Sequence, residues 1–341
     1  MPTVKDVAEL AGVSTATVSR VLNNSPKVSD DTRAKVAWAM EQLGYRPNRI
    51  ARNLRKQSTQ AVGVIIPDIQ NHFFVSVVRG IEDVAYANRH VLLLCNTDDS
   101  PLREKVYVDV LLSEGVAGVI ICASDETASC EVVRTLIDAE VPVVALDRKL
   151  PGLAVDTILA DNVGASRSAT AYLINAGHRR IGLISGPDYL APGRERRQGY
   201  EQALAEHGLP LDRSIVKITD FTPEQARRAT RELLDMPNPP TALLVCSGLM
   251  TLETLKEIKR RGLTTPDDIA LVGFEDTVMD HCLHQPFPVI TQSTYALGQT
   301  AAELLFRRLR EPDAPIQEVR LETQLSIDPQ RLEVGTTRGG D

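Results

Sequence analysis

The chain has 341 residues and a formal net charge of −7 at neutral pH, from 38 Lys or Arg and 45 Asp or Glu. This length allows more than one folded domain, and the absence of an apolar run of about 18 residues excludes a membrane-spanning helix. The five cysteines show no paired spacing and no signal peptide precedes them, which predicts a reduced cytoplasmic protein.

Residues 4–22 predict two short helices joined by a tight turn. Thr3 can cap the first helix, Gly12 can end it, and Ser14 can cap the second. Apolar residues recur at helical spacing on one face of each helix: Val4, Val7, Ala8 and Ala11, then Val18, Val21 and Leu22. This pattern is typical of a helix-turn-helix, although the apolar spacing alone fits any small helical hairpin equally well.

The outer face of the second helix carries side chains suited to reading DNA. A helix-turn-helix presents the first residues of its second helix to base edges in the major groove. Arg20 can donate a bidentate pair to guanine, and the methyl groups of Thr15 and Ala16 can contact a thymine methyl.

A third helix is predicted from Ser29, which can cap it, to Gly44, which can end it. Its acidic first turn, Asp30 and Asp31, suits the positive end of a helix. Residues 1–58 hold 10 Lys or Arg against 5 Asp or Glu, whereas the remainder of the chain is acidic. The positive charge that could neutralise DNA phosphates is therefore confined to this first segment.

A short helix capped by Asn48 is predicted next, with Leu54 on its apolar face. At fewer than three turns it is too short to be stable alone, so we expect it to order only against DNA or a second copy. An apolar Leu54 among cations such as Arg55 fits a wedge inserted at a minor-groove step. The alternative is a basic tether whose leucine packs on the following domain.

The remaining residues alternate apolar strand patterns with helical ones. The strand patterns are AVGVIIP, HVLLLCN, AGVIICA, VPVVALD, RRIGLISGP, SIVKITD, TALLVCS, DIALVGFED and VITQST. Continuous apolar strands followed by helices indicate parallel sheets covered on both faces. The number of units predicts two doubly wound subdomains, so the fold class is α/β behind an all-α headpiece.

Ligands of open parallel sheets bind beyond the carboxyl ends of the strands. The residues predicted there are Asn71, Phe73, Phe74, Asp98, Cys122, Asp147, Arg148, Arg196, Phe221, Glu275 and Gln292. An aromatic platform with guanidinium groups, carboxylates and an amide suits a sugar-sized polyol. Sugar phosphates, nucleosides and nucleobases also fit such a cleft, but its carboxylates favour a neutral sugar over a phosphate.

Enzyme and metal chemistry have little support in the sequence. No P-loop, G-x-G-x-x-G or G-x-S-x-G motif occurs in the required strand–turn–helix setting. The spacing of His281, Cys282 and His284 is not a zinc pattern. We therefore predict no enzyme activity, no cofactor and no metal.

Six segments resemble the lactose/galactose repressor (LacI/GalR) family in register between about Thr3 and about Ile327. They are VKDVAELAGVSTATVSRVLN, VSDDTRAKV, LGYRPNRIARNLR, GHRRIGLISGP, RERRQGYEQAL and DIALVGFED. The resemblance implies a homodimeric transcriptional regulator, bound to palindromic operator DNA and controlled by a small-molecule effector. It also implies a periplasmic-binding-protein-like effector domain. The chain ends without a leucine heptad, which favours a dimer over a tetramer.

The resemblance assigns roles to individual residues. Thr15, Ala16 and Arg20 would face bases, and Leu54 would be the hinge wedge. The full set of implied DNA-binding residues is Ser14, Thr15, Ala16, Thr17, Arg20, Asn48, Leu54 and Arg55. In family members, the positions matching Asp147, Arg196, Phe221, Glu275 and Gln292 line the effector pocket.

The predicted domains are a helix-turn-helix domain at 1–46, a hinge helix at 47–60, an effector-binding and dimerisation domain at 61–335, and a disordered tail at 336–341. Within the large domain, one subdomain spans about 61–161 and 293–322, and the other about 162–292 and 323–335. The resemblance implies three chain crossings between them, near Asp161, Ser293 and Thr323.

Three departures from the family pattern bear on the effector. Glu275 follows Gly273-Phe274 where an aspartate is usual, so the carboxylate reaches about one methylene further. Ser247-Gly248 stands where many relatives have Asn-Asp, which removes a polar contact, and Ser293 replaces a proline. The effector's identity, the sign of its action and the operator sequence stay open.

The sequence predicts a repressor of a carbohydrate-utilisation operon, and two alternative functions stay open. One is a sugar-binding α/β protein whose N-terminal helices contact another protein. The other is a nucleobase- or nucleoside-responsive regulator of the same family.

Substituting Arg20→Ala is expected to weaken operator binding about 5- to 150-fold, because one bidentate base contact contributes about 1–3 kcal/mol. A gel shift at physiological salt measures this effect, and the affinity should fall steeply as salt rises. A wild-type protein without preference for palindromic sites near its own operon would contradict the repressor prediction. The non-DNA alternative instead expects ligand binding to survive deletion of residues 1–58.

Overall fold

The structure is a computed structural model that describes residues 2–22, 25, 27–45, 59–274 and 287–327. The chain divides into two compact units, Met1–Thr59 and Gln60–Asp341.

The first unit contains three helices: α1 (Val4–Leu10), α2 (Thr15–Leu22) and α3 (Asp30–Gln42). Helix α1 begins with a capping box, in which the Thr3 amide donates to the Asp6 carboxylate (2.7 Å) and the Asp6 amide donates to the Thr3 hydroxyl (3.4 Å). Its end is followed by Gly12 at φ +64°. Six buried residues form the core of this unit: Val7, Ala8, Val18, Val21, Val36 and Ala39.

The second unit contains two six-stranded sheets. The first has the order β11-β5-β4-β3-β1-β2, and all its neighbouring strands are parallel. Its strands are β1 (Ala61–Ile66), β2 (Val91–Asn96), β3 (Gly118–Ile121), β4 (Val143–Leu146), β5 (Asp156–Ala160) and β11 (Glu318–Leu321). With helices α4 (His72–Ala87), α5 (Pro101–Ser113), α6 (Ala128–Asp138) and α11 (Thr294–Arg310), this sheet is the N-subdomain.

The second sheet has the order β12-β10-β9-β8-β6-β7, in which only β12 runs antiparallel to its neighbour among the described strands. Its strands are β6 (Ile181–Ser185), β7 (Val216–Ile218), β8 (Ala242–Val245), β9 (Ala270–Phe274), β10 (Val289–Gln292) and β12 (Thr323–Ser326). With helices α7 (Asn162–Asn175), α8 (Ala191–Glu206), α9 (Pro223–Leu234) and α10 (Gly248–Arg260), and the 3₁₀ helix Arg213–Ile215, it is the C-subdomain.

The apolar runs in the sequence predict nine of the described strands and miss three, β5, β11 and β12. β11 and β12 lie at sheet edges and expose alternate residues, so their sequences EVRL and TQLS carry no continuous apolar run. β5 is fully buried, but it begins with Asp156-Thr157 and leaves only three apolar residues.

Helices α4 and α11 pack through their backbones. A Cβ atom at Gly298 would lie 2.0 Å from the Val77 carbonyl oxygen, and one at Gly80 would lie 2.2 Å from the Tyr295 carbonyl oxygen. A larger residue at either glycine would force the helices apart. Beside this crossing, the Tyr295 hydroxyl donates to Asp83 (2.7 Å). This close crossing places α11, which follows the C-subdomain strand β10, in the N-subdomain.

Glu257 on α10 is a carboxylate whose side chain is fully buried beneath three arginines. It pairs with Arg260 (2.7 Å), Arg261 (3.1 Å) and, on α9, Arg231 (3.3 Å). The hydrogen bonds from Arg260 and then, against the opposing effect of burial, from Arg261 and Arg231 lower the pKa of Glu257 to about 2. The cluster therefore adds a link through charge between α9 and α10, which also share an apolar core.

Substituting Glu257→Gln is expected to lower the free energy of unfolding by about 2 kcal/mol at pH 7, because charge-assisted hydrogen bonds to three arginines are lost. A lowered pKa stabilises the fold above the unfolded value near 4.5 and ceases to do so as the pH falls toward 2. The difference measured by urea unfolding should therefore shrink as the pH falls from about 5 to about 3. The exposed control Glu224→Gln should change little, and equal effects from both variants would contradict this interpretation.

Candidate functional site

A cavity of about 300 Å³ lies between the N-subdomain and the C-subdomain, at the carboxyl ends of their strands. This volume is at the lower end of the range typical of small-molecule sites. The structure brings nine of the eleven predicted site residues to its wall: Asn71, Phe73, Phe74, Asp98, Asp147, Arg148, Arg196, Phe221 and Gln292.

The remaining two predicted residues do not join this wall. Cys122 is fully buried and packs in the N-subdomain core with residues such as Ile120 and Leu146. Its side chain faces the interior although it follows the end of β3, and burial raises the pKa of its thiol well above the usual value. The expectation that Cys122 contacts a ligand is therefore corrected. Glu275 lies outside the described residues.

Several lining residues were not predicted. Asp68, Asp99 and Asp220 each follow a strand, so the same rule that selected Asp98 could have found them. Ser247 and Gly248, whose contact with ligand the sequence left open, also line the cavity, and Ser247 caps α10 through its hydroxyl (3.3 Å from the Met250 amide). The others are Pro67, Gln70, Pro192, Thr222, Pro223, Leu249 and Phe274.

Arg196 is held on α8 by contacts on several sides. Its Nε donates to the side-chain oxygen of Asn162 (2.8 Å), and one terminal nitrogen donates to the Cys246 carbonyl (2.6 Å). Its guanidinium carbon lies 4.2 Å from the centroid of the Phe274 ring, within cation–π distance. These contacts fix a buried cation at the cavity wall before any ligand arrives.

Asp147 and Arg148 occupy a tight turn after β4. Asp147 has φ +62°, and the Arg148 amide donates to the Leu146 carbonyl (2.6 Å), which closes a three-residue turn. The Arg148 guanidinium donates to the Ala123 carbonyl (2.7 Å) and pairs with Asp99. The turn thus delivers a carboxylate and a guanidinium to the cavity from adjacent residues.

One carboxylate oxygen of Asp147 is buried and has no hydrogen-bond partner among the described residues. Burial raises the pKa of this carboxyl group, while Arg196 and Arg148 act in the opposite direction. A buried acceptor without a partner is costly.

The left-handed backbone conformation is concentrated at this cavity. Six described residues other than glycine have positive φ, and four of them line it: Asp98, Asp99, Asp147 and Phe221. Such conformations cost about 1 kcal/mol or more and persist where the surrounding structure enforces them, often at binding sites.

Phe221 lies directly over the backbone of Gly186, at the end of β6. A Cβ atom at Gly186 would lie 1.9 Å from the ring atom Cζ of Phe221. The glycine therefore creates the space that the ring occupies. A ring fixed in this way offers a flat face to a sugar or a base.

The charges around the cavity are unequal. Among the described residues, five carboxylates line it, from Asp68, Asp98, Asp99, Asp147 and Asp220, against two guanidinium groups, from Arg148 and Arg196. Some of this charge is neutralised locally, because Asp99 pairs with Arg148 and Asp98 with Arg103. The excess of negative charge disfavours a phosphorylated ligand.

The first unit presents the predicted DNA-reading residues on its surface. Thr15, Ala16 and Arg20 are exposed on α2. The Ser14 hydroxyl accepts a hydrogen bond from the Thr17 amide (3.1 Å), so its first role is to cap this helix. The other implied DNA-binding residues, Asn48, Leu54 and Arg55, lie outside the described residues.

Comparisons with known proteins agree with both units. Residues 3–48 match the family model of bacterial regulatory proteins of the lacI family, and residues 170–327 match the periplasmic binding protein-like domain. The HTH-type transcriptional repressor CytR of Escherichia coli (strain K12) is 36% identical over 310 residues, which are 90% of each chain. The chain belongs to the LacI family of bacterial regulatory proteins. As a LacI-family member, it is a DNA-binding transcriptional regulator.

Two solved structures extend the match. A complex of the transcriptional regulator CelR with cellobiose is 32% identical and has a TM-score of 0.73, covering 96% of this chain and 99% of that one. The Lac repressor dimer bound to operator and the anti-inducer ONPF is 29% identical and has a TM-score of 0.83, covering 95% and 97%. The predicted LacI-family fold, with a helix-turn-helix and two parallel-sheet subdomains, is confirmed.

Membrane spans and metal clusters are both missing from the described part of this LacI-family chain. In the ranges that the structure describes, no helix is long and apolar enough to cross a membrane. Within the same ranges, no group of three or more His, Cys, Asp or Glu side chains is arranged to hold a metal ion.

Substituting Gly186→Ala is expected to displace the Phe221 ring and to weaken a ligand that stacks on this ring about 3- to 10-fold, because aromatic contacts contribute about 0.5–1.5 kcal/mol. Calorimetric titration with glucose and with adenosine measures the change. In a Phe221→Leu background, Gly186→Ala should weaken binding no further, because the clash is gone. Equal losses in both backgrounds would show that Gly186 acts independently of the ring.

Proposed function

We propose that this LacI-family regulator is a repressor of carbohydrate-utilisation genes, and that a neutral sugar bound between its subdomains sets its affinity for a palindromic operator. The observation that carries the proposal is the cavity wall, in which the buried residue Asp147 lies with Arg196 and the Phe221 ring. The relative CelR, which is similar along almost its whole length, has been solved with cellobiose.

The site chemistry fits a sugar through three kinds of contact. Asp147 accepts from a hydroxyl group, and Arg148 and Arg196 donate to hydroxyl or ring oxygens. The Phe221 ring packs against the apolar face of a pyranose or furanose. The surplus of carboxylates makes glucose a better ligand than glucose 6-phosphate.

The DNA-binding surface is proposed from the first unit. Thr15, Ala16 and Arg20 read bases, and Ser14 and Thr17 approach phosphates. Asn48, Leu54 and Arg55 belong to a hinge helix at 47–60 that joins the helix-turn-helix domain at 1–46 to the effector domain at 61–335. This division assigns operator binding and sugar binding to separate parts of the chain.

A palindromic operator requires two reading heads, so we propose a homodimer. The N-subdomain exposes an apolar stripe on α5, formed by Leu102, Val106 and Val110 at intervals of one helical turn. The edge strand β2 exposes Val91 and Leu94. Apolar surface of this kind on two neighbouring elements suits contact with a second copy.

The relatives are transcriptional regulators, and we propose that this chain likewise performs no catalysis. Because its proposed partner is chromosomal DNA, its place of action is the cytoplasm.

The proposal is tested by titrating the wild-type protein with cellobiose, glucose, glucose 6-phosphate and adenosine, and by repeating the titration with Asp147→Asn. At least one neutral sugar should bind and alter operator affinity in a gel shift. Asp147→Asn should weaken that sugar about 10-fold or more, because a charge-assisted hydrogen bond contributes about 1.5–3 kcal/mol. The exposed control Asp109→Asn should bind normally.

Other outcomes would redirect or reject the proposal. Binding of adenosine but of no sugar would favour the nucleoside-responsive alternative. Tighter binding of glucose 6-phosphate than of glucose would contradict the charge argument. Sugar binding without any effect on operator affinity would reject effector control.

A further inference from the structure

Helix α8 of the C-subdomain begins without a cap of its own. Its N-cap residue is Leu190, which has no side-chain acceptor, and its second residue is Pro192. The first amide groups of any helix lack partners within the helix and need an acceptor from elsewhere. For α8 this acceptor comes from the other subdomain.

Glu126, in the N-subdomain loop between β3 and α6, supplies it. Its Oε1 atom accepts from the Ala191 amide at 2.8 Å, and its Oε2 atom accepts from the Arg194 guanidinium at 3.0 Å. Glu126 is only 4% exposed, so its bond from the Ala191 amide is shielded from solvent, whereas the Arg194 side chain is partly exposed. A carboxylate at a helix N-terminus is also favoured by the helix dipole.

The same carboxylate also contacts the N-subdomain segment that carries Arg148. Oε1 also accepts from the Lys149 amide at 3.1 Å, one residue after Arg148 in the N-subdomain wall. Arg194 and Ala191 lie on α8, which carries Arg196 in the C-subdomain wall. One side chain therefore joins the two segments that deliver the two buried arginines.

We propose that Glu126 is a positioning residue that clasps the two subdomains together and sets the geometry of the cleft. Glu126 belongs to none of the three segments in which the chain passes between subdomains. A second tie, from Arg320 to Glu195 (3.1 Å), lies beside the passage from β11 to β12, where covalent connection already limits movement. Opening the cleft away from these passages requires the Glu126 clasp to break.

The effect of the clasp on ligand affinity rests on the proposed sugar-responsive function, because a clasp that breaks easily leaves fewer molecules competent to bind. The first test uses no ligand, so the clasp proposal and the sugar proposal can fail separately. Hydrogen exchange measured by mass spectrometry compares the full-length wild type with Glu126→Ala, and with Glu131→Ala as an exposed control in α6.

In Glu126→Ala, the Ala191 amide should exchange about tenfold faster or more, since it loses its acceptor. The Lys149 amide, which donates to the same carboxylate from the N-subdomain, should also exchange faster. Glu131→Ala should match the wild type. Unchanged exchange at Ala191, or a rise confined to Ala191, would overturn the proposal and leave a local cap.

Measuring the affinity for cellobiose distinguishes a Glu126 that sets the geometry of the cleft from a Glu126 that only stabilises the fold. If cellobiose binds the wild type, Glu126→Ala should weaken it about fivefold at a temperature where both proteins are folded, and Arg194→Gln should weaken it less. The double variant Glu126→Ala/Arg194→Gln should be no worse than Glu126→Ala alone. Normal affinity in Glu126→Ala would overturn the clasp. If cellobiose does not bind the wild type, that result counts against the sugar proposal, and the exchange experiment still decides the clasp.

Discussion

The parallel direction of the strands is the constraint on which the rest of the second unit depends. Because neighbouring parallel strands end at the same edge, each sheet collects its loops on one side, and the cavity lies where the two sets of loops face each other. Polar residues in those loops can be buried because the sheets behind them are well packed and largely apolar. Several residues of the cavity wall therefore lie in short turns, where unusual backbone conformations are concentrated, although Arg196 comes from α8 and Gln292 from β10.

The electrostatics of the cavity follow from this burial. Asp147 and Arg148 are both buried, and each keeps one polar atom without a hydrogen-bond partner among the described residues: a carboxylate oxygen of Asp147 and Nε of Arg148. The terminal nitrogen of Arg148 is paired with Asp99 and with a backbone carbonyl. A carboxylate beside a guanidinium suits a ligand whose hydroxyl groups can both donate and accept hydrogen bonds.

Local signals in the sequence predicted local structure well. The caps at Thr3 and Ser29 and the ends at Gly12 and Gly44 depend on neighbouring residues, and the structure contains them. The rule that ligands bind beyond the carboxyl ends of strands predicted nine residues of the cavity wall. The rule was wrong for Cys122, because position along a strand does not say which face of the sheet a side chain meets. It could not reveal Glu126, whose partner Ala191 is 65 residues away and carries no capping pattern.

The close packing of α4 and α11 at Gly80 and Gly298 has a mechanical consequence. Where side chains separate two helices, rotamer changes can absorb a small displacement, but backbone atoms in direct contact leave no such slack. Helix α4 begins after Asn71 on the cavity wall, and α11 begins just after the chain leaves strand β10. A displacement at the start of α4 would therefore move α11 with it, which couples the cavity wall to the segment that connects the two subdomains.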